Sequence, residues 1–346
     1  MRYFILFLFS VSFVSAQDGF PLYTDYLSDN LYLVHPSMAG AANSNKIRLT
    51  ARKQWFDIDN APNTQSANIN FRTGDKVGLG AAFYKDENGR FEQSGGYVTF
   101  AYHLLFSRDR TDLNMLSFGL SALFAQSNVD LRGLFDPTDQ DPIILPNRVQ
   151  KDGYFNLDFG LSYNFLNWYA HFTVKNLIPF NRDIFDNTAI NFDPADPNRI
   201  TTADSNNQRR YLFSGGKTIG ISNSFSIEPS FLYQITENTG ENTIDINAKV
   251  YQDVGSLLTL WGGISYRRAF DGAQFSTGGL AVETQKLQYI TPFAGFHYKQ
   301  WMLGYTYNYQ LNDILVSNSG FHQLTLGYDF GKRKERYPCL CPAINL

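Results

Sequence analysis

The sequence predicts an all-β protein, an outer-membrane antiparallel β-barrel of about 14 strands with an N-terminal plug segment. Three observations predict this fold. Apolar and polar residues alternate with period two along most of the chain. Aromatic residues cluster at the ends of the apolar faces. After the first apolar stretch, no apolar run reaches the roughly 18 residues that a membrane-spanning helix needs.

Composition excludes several function classes. The 346 residues include 29 Lys+Arg and 32 Asp+Glu, a net charge of -3, so a basic excess for nucleic-acid binding is lacking. The 5 His residues are scattered singly, and the chain lacks HExxH, CxxC, GxSxG and phosphate-loop motifs. We therefore expect no enzyme activity, no catalytic residue, no cofactor and no metal site.

The first 16 residues resemble a secretory signal peptide. Arg2 gives a positive start, residues 3–14 are apolar, and Val14-Ser15-Ala16 fits a small-residue cleavage site before Gln17. Gln17 also argues against a lipoprotein anchor, which would require Cys at that position. The chain is thus expected to leave the cytoplasm, which leaves two classes, a secreted β-sandwich and an outer-membrane barrel.

Alternation is clearest over Tyr154 to Phe165. One face carries Phe155, Leu157, Phe159, Leu161, Tyr163 and Phe165, and the other Asn156, Asp158, Gly160, Ser162 and Asn164. The strands are predicted at about 44–55, 63–73, 76–86, 92–105, 113–126, 154–165, 168–175, 208–217, 224–235, 243–253, 256–268, 288–298, 301–310 and 319–330. Segment 273–284 is assigned to a loop, because an odd strand count would separate the termini.

Connection lengths predict the orientation. With both termini periplasmic, every periplasmic link is short, and the three longest links, 127–153, 176–207 and 269–287, all lie outside. The predicted organisation is a signal peptide over 1–16, a plug or periplasmic segment over 17–43, a transmembrane barrel over 44–330 and a periplasmic tail over 331–346. The chain is therefore expected to be integral to the outer membrane of a Gram-negative bacterium, in contact with its lipid.

Amphipathic rings at the strand ends are predicted to form the interfacial girdles. They are Trp55, Tyr84, Tyr163, Trp168, Tyr233, Tyr266, Tyr298, Trp301 and Tyr309. Lumen-facing charges are expected to pair with one another or with the plug. They are Arg48, Arg52, Arg72, Asp158, Lys175, Glu228, Asp245, Lys249 and Arg267.

Residues 17–43 are too rich in apolar and aromatic side chains to be expected free in the periplasm. A barrel of this width needs filling or it conducts, so we predict that the segment folds into the lumen as a plug. The plug residues are Phe20, Tyr23, Tyr26, Tyr32 and Pro36. The alternative is a flexible leader that is available to a periplasmic partner.

Two outer loops are rich in Asp and Pro, around Phe135 and Asp136 and around Asp193. Clustered oxygen ligands raise the possibility of Ca²⁺, but the spacing lacks EF-hand order, and Asp-Pro is ordinary turn chemistry. We interpret both loops as partner-facing surface. Cys339 and Cys341 lie in the tail, where an intermolecular disulfide and two inert thiols both remain open.

Several motifs resemble the PorP/SprF family of outer-membrane proteins, which is linked to type IX secretion. They are Pro21-Leu22-Tyr23-Thr24-Asp25-Tyr26, His35-Pro36-Ser37-Met38-Ala39-Gly40, Arg52-Lys53-Gln54-Trp55 with Ala61-Pro62, Val77-Gly78-Leu79-Gly80, Trp261-Gly262-Gly263 and Leu303-Gly304-Tyr305. His35 and Met38 stand where the family usually has Asn and Tyr. The long loops and the tail after Phe330 also depart from it, and a member-specific partner contact is expected there.

The resemblance implies a non-enzymatic component that binds a partner chain. It would support export or surface anchoring of a cargo adhesin used in gliding or adhesion, through that cargo or its C-terminal domain, or it would dock to periplasmic ring lipoproteins. The expected partner-binding residues are Arg52, Trp55, Pro62, Phe135, Asp136, Asp193, Cys339 and Cys341. The rival prediction is a passive channel or small-molecule transporter, which the barrel would support equally well.

Overall fold

The fold was obtained as a computed structural model. It describes residues 30–106, 112–132, 149–178, 192–193, 196–200, 208–237, 239–275, 283–311, 320–331 and 341–345. None of the helices in these ranges is long and apolar enough to cross a membrane.

Fourteen antiparallel strands form a closed barrel. They are β1 Asn45–Gln54, β2 Asn63–Thr73, β3 Val77–Asn88, β4 Phe91–Leu105, β5 Asn114–Asp130, β6 Val149–Phe165, β7 Trp168–Lys175, β8 Arg210–Lys217, β9 Phe225–Thr236, β10 Asn242–Val254, β11 Leu258–Ala269, β12 Gln288–Tyr298, β13 Trp301–Gln310 and β14 Phe321–Phe330. Each strand pairs with its sequence neighbours, and β1 pairs with β14 from Asn45↔Phe330 to Gln54↔Phe321. The predicted antiparallel β-barrel and its number of strands are confirmed.

Strands β5 and β6 are each at least three residues longer than predicted. Strands β5 and β6 form one continuous ladder from Asn114↔Phe165 to Asp130↔Val149. By contrast, β6 pairs with β7 only from Phe159 to Phe165. Residues 149–158 of β6, with their partners on β5, therefore extend beyond the part of the hairpin that pairs with β7.

The links divide the barrel into two ends. At one end, which we call the short-link end, turns such as 74–76, 166–167 and 299–300 join the strands, with positive φ at Gly74, Leu166 and Lys299. Strand β1 begins and β14 finishes at this end. The opposite, long-link end carries the connections 131–148, 176–209 and 270–287.

The described parts of segment 273–284 lie outside the barrel sheet. Ala273–Phe275 pairs only with Glu283–Gln285, in a separate two-stranded sheet, and residues 276–282 lie outside the described ranges. The assignment of this segment to a loop therefore agrees with the structure. A second small sheet joins Phe192–Asp193 to Asp196–Ile200 in the link between β7 and β8.

As predicted, apolar side chains face outward and polar side chains face the lumen. On β6, Phe155 and Tyr163 are each 43% exposed, whereas Asn156 and Ser162 are fully buried. The same pattern covers the outside with apolar side chains, among them Phe83, Val98, Phe100, Phe124, Phe231, Ile246, Ile264 and Leu324. Apolar residues outside and polar residues inside are what a lipid-embedded barrel requires.

Of the nine predicted girdle residues, five are exposed, Trp55, Tyr233 and Tyr266 are partly exposed, and one is buried. Tyr163, Trp168, Tyr298, Trp301 and Tyr309 are exposed on the outer face. Tyr84, however, is only 2% exposed and faces the lumen, where its ring packs against Gly95. Its neighbours of the same parity, Ala82 and Asp86, are also buried, so the inward face of β3 includes this tyrosine.

Candidate functional site: the occupied lumen

Residues 30–44, which we call the N-terminal segment, contact inward-facing residues of β2 to β8. The segment contains two short 3-10 turns, Leu31–Leu33 and Pro36–Met38. The Tyr32 hydroxyl hydrogen-bonds Thr99 Oγ1 at 2.9 Å in the middle of β4, and burial raises the pKa of Tyr32 to about 12. Further along, His103 Nε2 contacts the Ala39 carbonyl oxygen at 3.0 Å, nearer the short-link end of β4.

His35 joins the N-terminal segment to two strands. Its Nδ1 hydrogen-bonds Thr173 Oγ1 on β7 and its Nε2 hydrogen-bonds Ser214 Oγ on β8, both at 2.8 Å. Burial, then the nearby His171 and Lys175, hold the pKa of His35 well below 6.5. The ring is therefore neutral at pH 7, and each of its nitrogen atoms has a hydroxyl partner.

Glycines on the inward face make room for the N-terminal segment. A Cβ added to Gly119 would lie 2.2 Å from the carbonyl carbon of Pro36, and one added to Gly78 would lie 2.0 Å from the Ala39 carbonyl oxygen. Both distances are far below van der Waals contact, and the facing atoms belong to backbone. Only glycine at these positions allows the two backbones to approach so closely.

Arg72 of β2 holds the end of the N-terminal segment. Its Nε donates to the Gly40 carbonyl at 2.6 Å, and its Nη2 donates to the Ala41 carbonyl at 3.0 Å. The Gly40 amide in turn donates to Asn70 Oδ1 at 3.2 Å. These bonds satisfy backbone groups that would otherwise be buried without partners.

The C-terminal helix, Pro342–Asn345, packs beneath the N-terminal segment at the short-link end. Its Ile344 side chain is fully buried in a cluster with Met38, Ala41, Leu113 and Met115. The Asn43 amide donates to the Ile344 carbonyl at 2.7 Å. The two ends of the described chain therefore contact each other inside one opening of the barrel.

Among the described residues, side chains of the strands themselves pack into the lumen along β10 to β13. Tyr251, Trp261, Phe293 and Met302 form a buried cluster there. Lys249 Nζ lies 4.1 Å from the centroid of the Trp261 ring, within the range of a cation–π interaction. The described part of this half of the lumen thus contains a packed cluster of aromatic side chains.

Of the predicted lumenal charges, some pair with one another or with the N-terminal segment, and others have partners that were not predicted. Arg48 meets Asp329 at 2.6 Å, and the Arg267 guanidinium meets both oxygens of Asp245 at 2.7 Å. Lys175 lies 3.5 Å from Asp158 and donates to the Leu33 carbonyl at 3.2 Å. Glu228 accepts hydrogen bonds from the Tyr169 and Tyr251 hydroxyls, each at 2.6 Å.

The predicted partner-binding residues do not form one site. Arg52 lies 5.2 Å from the Phe321 ring, and Trp55 meets the same ring edge-on at the long-link end. Pro62 lies beside them, since its carbonyl accepts from the Gln54 amide. Cys341 lies at the opposite end, where its Sγ is 3.1 Å from the Leu166 carbonyl oxygen.

The other predicted positions have different outcomes. Phe135, Asp136 and Cys339 lie outside the described residues, as do the predicted plug residues Phe20, Tyr23 and Tyr26. Asp193 belongs to the small sheet between β7 and β8. Tyr32 and Pro36 lie in the lumen. Within the described ranges, no group of three or more His, Cys, Asp or Glu side chains could hold a metal ion.

A closed barrel with a lipid-facing apolar exterior and a packed interior defines an integral outer-membrane β-barrel protein. The chain belongs to the family described as type IX secretion system membrane protein PorP/SprF, which matches residues 15–328. No curated protein shows significant similarity to the chain.

Solved barrels resemble the chain only distantly. The CymD monoaromatic hydrocarbon channel has a TM-score of 0.47 and 10% identity, over 83% of this chain and 88% of its own. The KdgM porin has a TM-score of 0.33 and 10% identity, over 83% and 99%. BamA from Haemophilus ducreyi has a TM-score of 0.40 and 10% identity, over 83% and 70%. No ligand or activity follows from similarity at this level.

Proposed function

We propose that this barrel is a binding and anchoring component of type IX export, and that it acts through its surfaces and not through an open pore. The observation that carries the proposal is the occupied lumen. Tyr32, His35 and the buried Trp261 cluster fill both halves of the described interior with hydrogen-bonded or close-packed groups. A protein of a secretion family whose described lumen is filled in this way is expected to work by holding another chain.

The long-link end is the proposed contact for the exported partner, a cell-surface cargo adhesin or its C-terminal domain. Arg52, Trp55 and Phe321 place a cation and aromatic rings at this rim, the residue types enriched at interaction surfaces. The β5–β6 hairpin extends above β7 on the same side. The short-link end, which we place on the periplasmic side, is the proposed docking face for ring lipoproteins of the machine.

Affinity purification tests the proposal. The tagged barrel is purified from outer membranes in mild detergent, and the co-purifying proteins are identified by mass spectrometry. A stoichiometric large surface protein is expected with the wild-type chain and is expected to be reduced by the double substitution Arg52→Ala and Trp55→Ala. The matched control is Lys217→Ala at the short-link end, where Lys217 Nζ lies 4.3 Å from the Trp168 ring centroid.

Other results would change the proposed role. Ring lipoproteins without a surface protein would make the barrel a core part of the machine. Recovery of the barrel alone, with steady single-channel conductance of the intact protein in planar bilayers, would overturn the proposal in favour of a passive channel. Deleting residues 18–43 should raise conductance if the N-terminal segment blocks the lumen.

A further inference from the structure

The C-terminal helix occupies the route by which the N-terminal segment would leave the lumen. The segment runs from Tyr32, beside Thr99 at mid-barrel, to Asn43, next to the first residues of β1 at the short-link end. Withdrawal without opening the barrel wall therefore has to proceed through the short-link opening. The Ile344 carbonyl accepts the Asn43 amide at this point.

The contact between the C-terminal helix and the N-terminal segment is apolar and buried. Ile344 and Leu113 are fully buried, and Met38 and Ala41 are at most 5% exposed. Cys341 is 2% exposed, and its Sγ contacts the Leu166 carbonyl oxygen in the turn between β6 and β7. The helix thus contacts the N-terminal segment on one side and the barrel wall on the other.

We propose that the C-terminal helix is a latch: docked, it retains the N-terminal segment in the lumen, and undocked, it lets the segment leave through the short-link end. The helix is a single turn of four residues, Pro342–Asn345. Such a short helix is not stable alone, so its order depends on the docked contacts. A periplasmic partner that captured the tail would release the segment without altering any barrel strand.

Thiol labelling in the purified full-length protein tests the latch. In a Cys339→Ser background, the native Cys341 reports helix docking by its rate of reaction with a polyethylene-glycol maleimide. In a Cys339→Ser, Cys341→Ser background, Ser37→Cys reports retention of the N-terminal segment, because Ser37 is fully buried and cysteine is close to it in size. Serine at position 341 keeps a hydroxyl that can donate to Leu166.

Ile344→Asp is the perturbation, because it places a carboxylate among the side chains of Met38, Leu113 and Met115. We expect it to raise the labelling rate at positions 341 and 37 by at least about tenfold, whereas the matched control Ile344→Val changes neither by more than about twofold. Deleting residues 341–346 should raise the labelling rate at position 37 by the same factor. The deletion replaces Ile344→Asp as the perturbation if the aspartate variant does not insert into the membrane. Heat-modifiable gel mobility verifies that the barrel has folded.

Two outcomes would overturn the latch. If position 341 became accessible while position 37 stayed protected, the barrel wall alone would hold the segment. If Cys341 reacted fast in the parent protein and Ile344→Asp did not change its rate, the helix would not be docked. No partner protein is used, so neither result bears on cargo binding.

Discussion

Substituting Gly119 with alanine should loosen the N-terminal segment without breaking the barrel. The new methyl carbon would lie 2.2 Å from the Pro36 carbonyl carbon and 2.2 Å from the Ser37 nitrogen. Carbon contacts are favourable at roughly 3.5–4.0 Å, so the segment would have to move by about 1.3–1.8 Å. Overpacking of this kind typically costs about 1–3 kcal/mol.

Hydrogen exchange measures this cost directly. A loss of about 1–3 kcal/mol corresponds to roughly 5- to 150-fold faster exchange, provided that the segment exchanges through opening. We therefore expect amides of residues 30–44 to exchange faster by that factor in Gly119→Ala, while amides of β5 keep their protection. Peptide-resolved mass spectrometry of the protein in detergent micelles gives both readouts from one sample.

Gly153 on β6 provides the matched control. It is also a strand glycine, but the nearest atom to an added Cβ is the Ala125 carbonyl oxygen at 3.8 Å, which is ordinary contact. Gly153→Ala should leave the exchange of residues 30–44 unchanged. The reasoning fails if Gly119→Ala exchanges like the wild type, or if both alanines have the same effect.

Three further predictions concern charge and pH. Asp245→Ala leaves the Arg267 guanidinium largely buried without its bidentate partner and should cost about 3–5 kcal/mol in urea unfolding. Lys85→Met, at an exposed ion pair, should cost far less because solvent screens that pair; equal costs would contradict the buried pairing. Val98→Lys, at a position that is 63% exposed at the middle of β4, should cost about 2–4 kcal/mol in lipid vesicles; no loss would argue against lipid contact there. Because the pKa of His35 in the folded protein lies below 6.5, the unfolded chain binds more protons, so stability is full above about pH 6.5 and falls as the pH drops below it. The protection factors of residues 30–44, corrected for the pH dependence of intrinsic amide exchange, should therefore fall between pH 7.5 and 5, and His35→Gln should weaken that fall.

The strands inside the membrane could be predicted closely from sequence because alternation there has one cause. Lipid on one side and a polar interior on the other impose period two, and Tyr154 to Phe165 follows it without interruption. That cause is absent beyond the membrane. The residues Gln150-Lys151-Asp152 do not alternate in polarity, so the early start of β6 at Val149 was missed, as was the late end of β5 at Asp130.

The lumen could be predicted in kind but not in detail. The polar face indicated which charges point inward, but it did not indicate that Arg267 of β11 would pair with Asp245 on the adjacent strand β10. The sequence contained a signal that Tyr84 faces inward. Gly78 and Gly80 lie on the same face of β3 as Tyr84, and small residues on an inward face leave space for a large side chain. The same glycines signal where the N-terminal segment approaches the wall. Contacts of Ile344 with Met38 join opposite ends of the chain, which local patterns do not encode.

The pairing of β1 with β14 imposes an order of assembly. Arg48 and Asp329, 281 positions apart, form an ion pair across the junction of the first and last strands. Ten residue pairs join those strands, so the cylinder cannot be complete until the last strand has been synthesised. Because β2 to β8 surround the N-terminal segment, the simplest order is that the segment packs against these strands before β1 and β14 have paired. Pairing of β1 with β14 would then enclose the N-terminal segment, so that the barrel would close and its lumen would be filled in the same step.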